Sequence, residues 1–266
     1  MKPLLYPLLA LLTLLTGCQT PTPATPEARA TTSSTTPAAA ADADDYRRYF
    51  PADGKFPGRG EISGWDAFPR HNAKRRALFA SRAAQDRDGL VFVGDSITEG
   101  WHTQQQDLAD LGVKIVNRGI GGDTTPNLLY RLEEDVLSLR PRALVLLIGT
   151  NDLAQGTSPA DIAANLKDIH ARIRAQYPQI PLALCLVMPR GDGDPFLKTV
   201  PELNAHIRAL AASDPKAVVV DTYTPLAAAD GKDNPAHFTP DHLHLNPSGY
   251  AQWRDVIKPV LRSWKL

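Results

Sequence analysis

Between residues 90 and 220 the chain repeats one pattern: a short apolar run, a polar loop, then a segment with helical spacing. The runs are Leu90–Val93, Val113–Val116, Ala143–Ile148, Leu182–Val187 and Ala217–Val220, each bounded by Gly, Pro, Asn or Asp. None alternates apolar with polar residues, and that is the signature of strands buried on both faces. Leu128, Leu132, Val136 and Leu139 share one stripe of a helix expected over Asn127–Leu139. Ile162, Leu166, Ile169 and Ile173 do the same over Asp161–Tyr177, with a start signal at Ser158-Pro159 and a stop at Pro178. Asn246-Pro247-Ser248 opens a last helix carrying Tyr250, Trp253, Val256, Ile257 and Leu261. Consecutive parallel strands need crossover helices, so the expectation is α/β: three layers, α/β/α, around a five-stranded parallel sheet. Ligands are then received at the carboxyl ends of the strands.

The first 45 residues stand outside this pattern. Lys2 precedes a leucine-rich run from Leu4 to Leu15, a secretory signal too short for a comfortable membrane span. It ends in Leu15-Thr16-Gly17-Cys18, which resembles the bacterial lipoprotein signal, where the cysteine is diacylated and becomes the mature N-terminus. The plainer alternative is an ordinary signal peptide that contains Cys18. The organisation expected is a signal peptide over 1–17, lipidated Cys18 with a Thr/Pro/Ala tether over 18–45, and a folded domain over 46–266. Two acyl chains anchor a protein durably where one does not, so the cell envelope, facing the periplasm, is the expected location. Cys185 is then unpaired, and its apolar run makes it a buried, inert thiol. Residues 46–88 form an N-terminal extension with a helix near Asn72–Ala84. Its aromatics, Tyr46, Tyr49, Phe50, Phe56, Trp65, Phe68 and Phe79, read as packing groups.

The chemistry sits in the loops. The first run leads into Gly94-Asp95-Ser96-Ile97-Thr98-Glu99-Gly100, and a serine at a strand-to-helix turn exposes its hydroxyl above the sheet with its amide free. The second leads into Asn117-Arg118-Gly119-Ile120-Gly121-Gly122-Asp123-Thr124-Thr125. A dinucleotide fingerprint there needs a glycine where Thr124 stands and an acidic residue at the end of the next strand, and that strand ends in Gly149-Thr150-Asn151. Asn151 is a usable oxyanion donor and also an ordinary turn residue. Last, Asp241-His242-Leu243-His244 places a carboxylate three residues before an imidazole, just ahead of the final helix. Such a carboxylate can hold the imidazole tautomer during proton transfer.

Together these four blocks resemble the GDSL-type, or SGNH, hydrolase family, over Val91 to Trp253. Within it the chain is similar to the platelet-activating-factor acetylhydrolase catalytic-subunit group, through Gly119 to Thr125, Leu128 to Leu132, Gly149-Thr150-Asn151 and Met188-Pro189-Arg190-Gly191. The resemblance implies a flavodoxin-like sheet, Ser96 as nucleophile, His244 as base and Asp241 as its orienting acid. It implies an oxyanion hole from the Ser96 and Gly122 amides and the Asn151 side chain. Gly122 is preferred to Gly121 because the family glycine directly precedes the aspartate. The chain departs from the family in carrying His242 where glycine is usual. With His237 nearby, His237, Asp241, His242 and His244 invite a metal reading, but no regular ligand spacing supports one; no metal or cofactor is expected. His242 in place of His244 is the alternative base.

The resemblance implies hydrolysis of short acyl esters, acetyl above all, of an alcohol or a decorated sugar. A lysophospholipase acting on the anchoring membrane is one rival, and a tethered glycan- or cell-wall-binding protein is another. With 29 basic against 29 acidic residues, the chain has no electrostatic footprint for nucleic acid. Asp95 and Asp123 are expected to brace loops, Arg190 to border the cleft, and Trp101 to line the pocket or cover the sheet edge. Arg190-Gly191-Asp192 spells an adhesion tripeptide too common to carry weight. Oligomeric state is not legible.

Overall fold

The computed structural model describes residues 46–101, 104–191 and 194–266; the expected signal peptide, Cys18 and the expected tether lie outside them. Five strands form one sheet: β1 Leu90–Gly94, β2 Ile115–Gly119, β3 Ala143–Leu147, β4 Leu182–Cys185 and β5 Ala217–Val220. All pairs are parallel and the order is β2-β1-β3-β4-β5, the flavodoxin-like order with its switch point between β1 and β3.

Strand alternation divides the core into two layers. Val91, Val93, Leu144 and Leu146 face helices α3 (Thr125–Asp135), α5 (Pro159–Gln176) and α6 (Asp194–Ala212), meeting Leu128, Leu132, Ile162, Ile169 and Leu203. Leu90, Phe92, Val145 and Leu147 face the other way, against Trp253, Ile257 and Leu261 of α7 (Pro247–Ser263). Each such side chain contributes about 1.5–3 kcal/mol relative to exposure. Trp101 belongs to this second layer. Its ring lies 4.7 Å from Phe92 and 4.1 Å from Trp253 between centroids, so it is a core residue and not a pocket wall.

Several element ends differ from the sequence expectation. The second strand starts at Ile115 and runs on through Asn117 and Arg118. Those polar residues hide a buried strand, because Arg118 is neutralised by Asp86 at 2.9 Å and donates to the Asp135 carbonyl. The helix expected over Asn127–Leu139 ends at Asp135, and a tight 3₁₀ turn, Leu137–Leu139, follows. That turn buries Val136, Leu137 and Leu139 together. The extension's helix, α1, is longer than expected and spans Phe68–Asp86. Helix α6, with Pro201 inside it, was not foreseen. The caps of α5 and α7 are as read: Ser158 accepts the Asp161 amide, and Asn246 accepts those of Ser248 and Gly249.

Candidate active site

The carboxyl ends of β2, β1 and β3 lie side by side, since Gly94 pairs in register with Gly119 and with Leu147. The loops that follow them are therefore neighbours. Asp95 caps the short helix α2 (Ser96–Glu99) by accepting the Ile97 amide at 3.0 Å, and Ser96 occupies the first helical position. An amide at that position has no intrahelical acceptor and is free for a ligand. Burial, with the Asp123 and Asp152 carboxylates nearby, pushes the Asp95 carboxyl up to about 7 despite its amide bond.

Ser96 Oγ lies 2.8 Å from His244 Nε2, and His244 Nδ1 lies 2.6 Å from Asp241 Oδ2. Asp241 Oδ1 accepts the Leu243 and His244 amides, each at 3.0 Å, and the Thr239 hydroxyl at 2.6 Å. Partial burial alone would raise the Asp241 carboxyl; these bonds, led by that from His244, outweigh it and hold the group well below the usual carboxylate range. Asp241 is thus a carboxylate and accepts from Nδ1–H. That leaves a lone pair on His244 Nε2 facing the serine hydroxyl. The pair is solvent-accessible, with side-chain exposures of 40% for His244 and 50% for Asp241.

Gly122 follows β2 with φ of +79°, a backbone region that disfavours any side chain. A Cβ there would also stand 3.0 Å from Ser63 Oγ and 3.1 Å from Phe68. Asn151 sits in α4 (Thr150–Ala154) and donates from Nδ2 to the Asp123 carbonyl at 2.9 Å. Beneath them Asp123 is fully buried and accepts from Arg131 Nε at 2.9 Å and from the Asn127 amide. Arg131 also reaches the Gly94 and Arg118 carbonyls, tying the β1 and β2 ends together. Asp152 accepts the Thr125 amide at 2.9 Å. Burial, countered in part by Thr125, pushes its carboxyl up to about 7. Asp95 and Asp123 brace loops, as expected.

The other histidines separate from the base. His237 Nδ1 lies 2.9 Å from Ser248 Oγ, and His242 Nδ1 lies 3.0 Å from Asp233. Ser96 is paired with His244 and not with His242. Among the described residues no cluster of three His, Cys, Asp or Glu is placed to hold a metal. Arg190 is buried, donates to the Thr150 carbonyl at 3.0 Å and lies over the Phe196 ring. Burial pushes the Cys185 thiol up to about 12, against a weaker bond from Trp253.

Some residues of this architecture carry no motif. Glu99 Oε2 accepts the Gly121 amide at 2.6 Å and meets His71 Nε2 at 2.8 Å. Arg75, from the same helix as His71, holds the Gly119 carbonyl at 2.9 Å. The extension thus touches the glycine loop through polar contacts as well as aromatic packing. Two cavities lie away from the serine. One of 220 Å³ is flanked by Arg75, Phe79 and Arg118 under α1, and one of 270 Å³ by Phe79, Ala83 and Arg118. Ser96 itself is half-buried.

Known proteins resemble the chain in sequence and in fold. Platelet-activating factor acetylhydrolase IB subunit alpha1 of Homo sapiens is 30% identical over 176 residues, 65% of this chain and 74% of that one. The same subunit of Pongo abelii is 30% identical over 177 residues, 65% of this chain and 75% of its own. A GDSL-like lipase from Bacteroides thetaiotaomicron superimposes with a TM-score of 0.61 at 28% identity, covering 70% of this chain and 97% of that one. An acetyl xylan esterase from Geobacillus stearothermophilus shares the fold, with a TM-score of 0.56 at 20% identity over 66% of this chain and 96% of its own. The profile described as GDSL-like Lipase/Acylhydrolase family matches residues 92–252, so the chain belongs to that family.

Proposed function

We propose that the chain is a serine esterase removing short acyl groups, acetyl above all, through an acyl-enzyme. The observation that carries this reading is the unbroken path from Ser96 Oγ through His244 to Asp241, at 2.8 and 2.6 Å. His244 Nε2 takes the hydroxyl proton as Ser96 attacks the ester carbonyl. The oxyanion is received by the Ser96 and Gly122 amides and the Asn151 side chain. The imidazolium, stabilised by Asp241, then protonates the departing alcohol, and water repeats the sequence on the acyl-enzyme. The resemblance to acetylhydrolases supports a short acyl group. The sequence of residues 1–45 supports an exported protein anchored through Cys18 in the cell envelope, facing the periplasm.

A fluorophosphonate probe tests the mechanism: it should label the wild type at Ser96 and leave Ser96→Ala unlabelled. Turnover of p-nitrophenyl acetate should fall to background in that variant, and surviving turnover would sink the serine mechanism. In a chain-length series, p-nitrophenyl acetate should be the best ester. Preference for a lysophospholipid over every acetate would overturn the substrate reading in favour of membrane lipid.

A further inference from the structure

The loop carrying His244 holds a second imidazole–carboxylate pair. His242 Nδ1 lies 3.0 Å from Asp233 Oδ2; the Asp233 side chain is 3% exposed and that of His242 is 49% exposed. A buried carboxylate fixes the ring while the ring itself faces solvent. With Nδ1–H donated to Asp233, Nε2 presents a lone pair, and no partner takes it among the described residues.

The pair is built at some cost to the backbone. His242 adopts φ of +59°, a conformation unfavourable to a residue with a Cβ. Such outliers persist where the surroundings hold them, and they concentrate at functional sites. Gly191 makes room for the acid: a Cβ there would fall 1.7 Å from Asp233 Oδ1 and 3.1 Å from His242 Nδ1. The preceding residue, Arg190, donates to the carbonyl of Thr150, which directly precedes Asn151. Contacts therefore run from Asn151's helix through Arg190 and Gly191 to Asp233 and His242, and on along the loop to His244 and Ser96.

The place of this pair follows from the chemistry. A general acid must lie within hydrogen-bond reach of the leaving oxygen. The departing alcohol therefore sits against His244, and His242 stands two residues away on the same loop. We propose that His242, oriented by Asp233, is a subsite for the leaving alcohol. Its Nε2 accepts a hydrogen bond from a free hydroxyl near the ester, which directs the enzyme to acetates of polyhydroxylated alcohols such as sugars and glycerol. This rests on the esterase reading of Ser96 and His244.

Two esters with the same acyl group and alcohols of similar size test it: glycerol monoacetate and propyl acetate. Wild-type kcat/KM for the monoacetate should exceed that for propyl acetate by about fivefold, the worth of one neutral hydrogen bond. His242→Gly and His242→Asn both suit a positive φ, and thermal melts confirm that each is folded. In both, the ratio should collapse toward one, through a higher KM for the monoacetate. An unchanged ratio, or equal loss on both esters, overturns the subsite. Wild-type turnover of p-nitrophenyl acetate without preference for the hydroxylated ester overturns it alone. No turnover of any ester removes the esterase reading and the subsite with it.

Discussion

Asn151 donates its side-chain amide to the carbonyl oxygen of Asp123 at 2.9 Å, and Asp123 directly follows Gly122. The two proposed oxyanion donors, which arrive from different strands, are thereby held in register by one hydrogen bond. One Asn151 N–H is used for this, and the proposed mechanism assigns the other to the substrate.

Replacing Asn151 with Ala removes both uses. We expect kcat to fall by about 10²–10³ with KM nearly unchanged, the loss typical of one hole donor. Unfolding free energy should fall by about 1 kcal/mol through the bond to Asp123. Activity within threefold of the parent would remove Asn151 from the hole.

Arg131 and Asp123 form a fully buried pair, with Nη2 2.7 Å from Oδ2. Arg131→Met leaves a buried carboxylate without its cation, and urea unfolding should show a loss of about 3–5 kcal/mol. Lys at this position should not restore stability, since one ammonium cannot replace the fork that meets Asp123 and the Gly94 and Arg118 carbonyls at once. Adding Asp123→Asn to Arg131→Met should recover part of the loss, because the charge left unpaired is then gone. Strict additivity in that cycle would contradict the coupling.

His71 acts through Glu99, which in turn holds the Gly121 amide. His71→Ala frees one side of that carboxylate and loosens the glycine loop. The expected result is a three- to tenfold fall in kcat, on the order of the ~1 kcal/mol worth of one hydrogen bond, with KM unchanged. His71→Gln should restore most of it. A fall in stability with no change in kcat would make the contact structural only.

Asp214 accepts from His170 at 2.7 Å and Arg174 at 2.6 Å. Burial opposes ionisation, but these bonds and the Lys216 amide outweigh it and draw the carboxyl down to about 2. A carboxyl depressed in the folded state adds stability that is complete above the unfolded value, about 3.9, and disappears as pH falls toward 2. Asp214→Asn should therefore cost on the order of 1–2 kcal/mol at pH 7 and nearly nothing at pH 2. Equal destabilisation at both pH values would show that the charge is not responsible.

Much of this was legible because the informative residues lie at strand ends. Apolar runs located the sheet; Ser96 and Asn151 open short helices just after β1 and β3, and Asp241 and His244 lie in the loop ahead of α7. What stayed hidden depended on pairing across long separations. Asn117 and Arg118 made β2 look as if it had already ended, since nothing local shows that Asp86 neutralises Arg118. His71 meets Glu99 across 28 positions with no spacing rule to announce it. Asp233 lies nine positions before His242 on an irregular stretch, where periodicity says nothing about contacts. Val200, Leu203 and Ile207 do carry helical spacing in α6, but Pro201 interrupts its reading.

Ser96 and His244 stand 148 positions apart in sequence yet touch. The proposed nucleophile is set at the first strand of the sheet, while its proposed base lies just ahead of the last helix. A ribosome releasing this chain has already made every strand before it makes the residue that activates the serine. On the proposed mechanism, catalytic competence waits until the whole sheet has been made. A chain stopped before residue 237 would hold the proposed nucleophile and both other proposed hole donors and yet stay chemically silent.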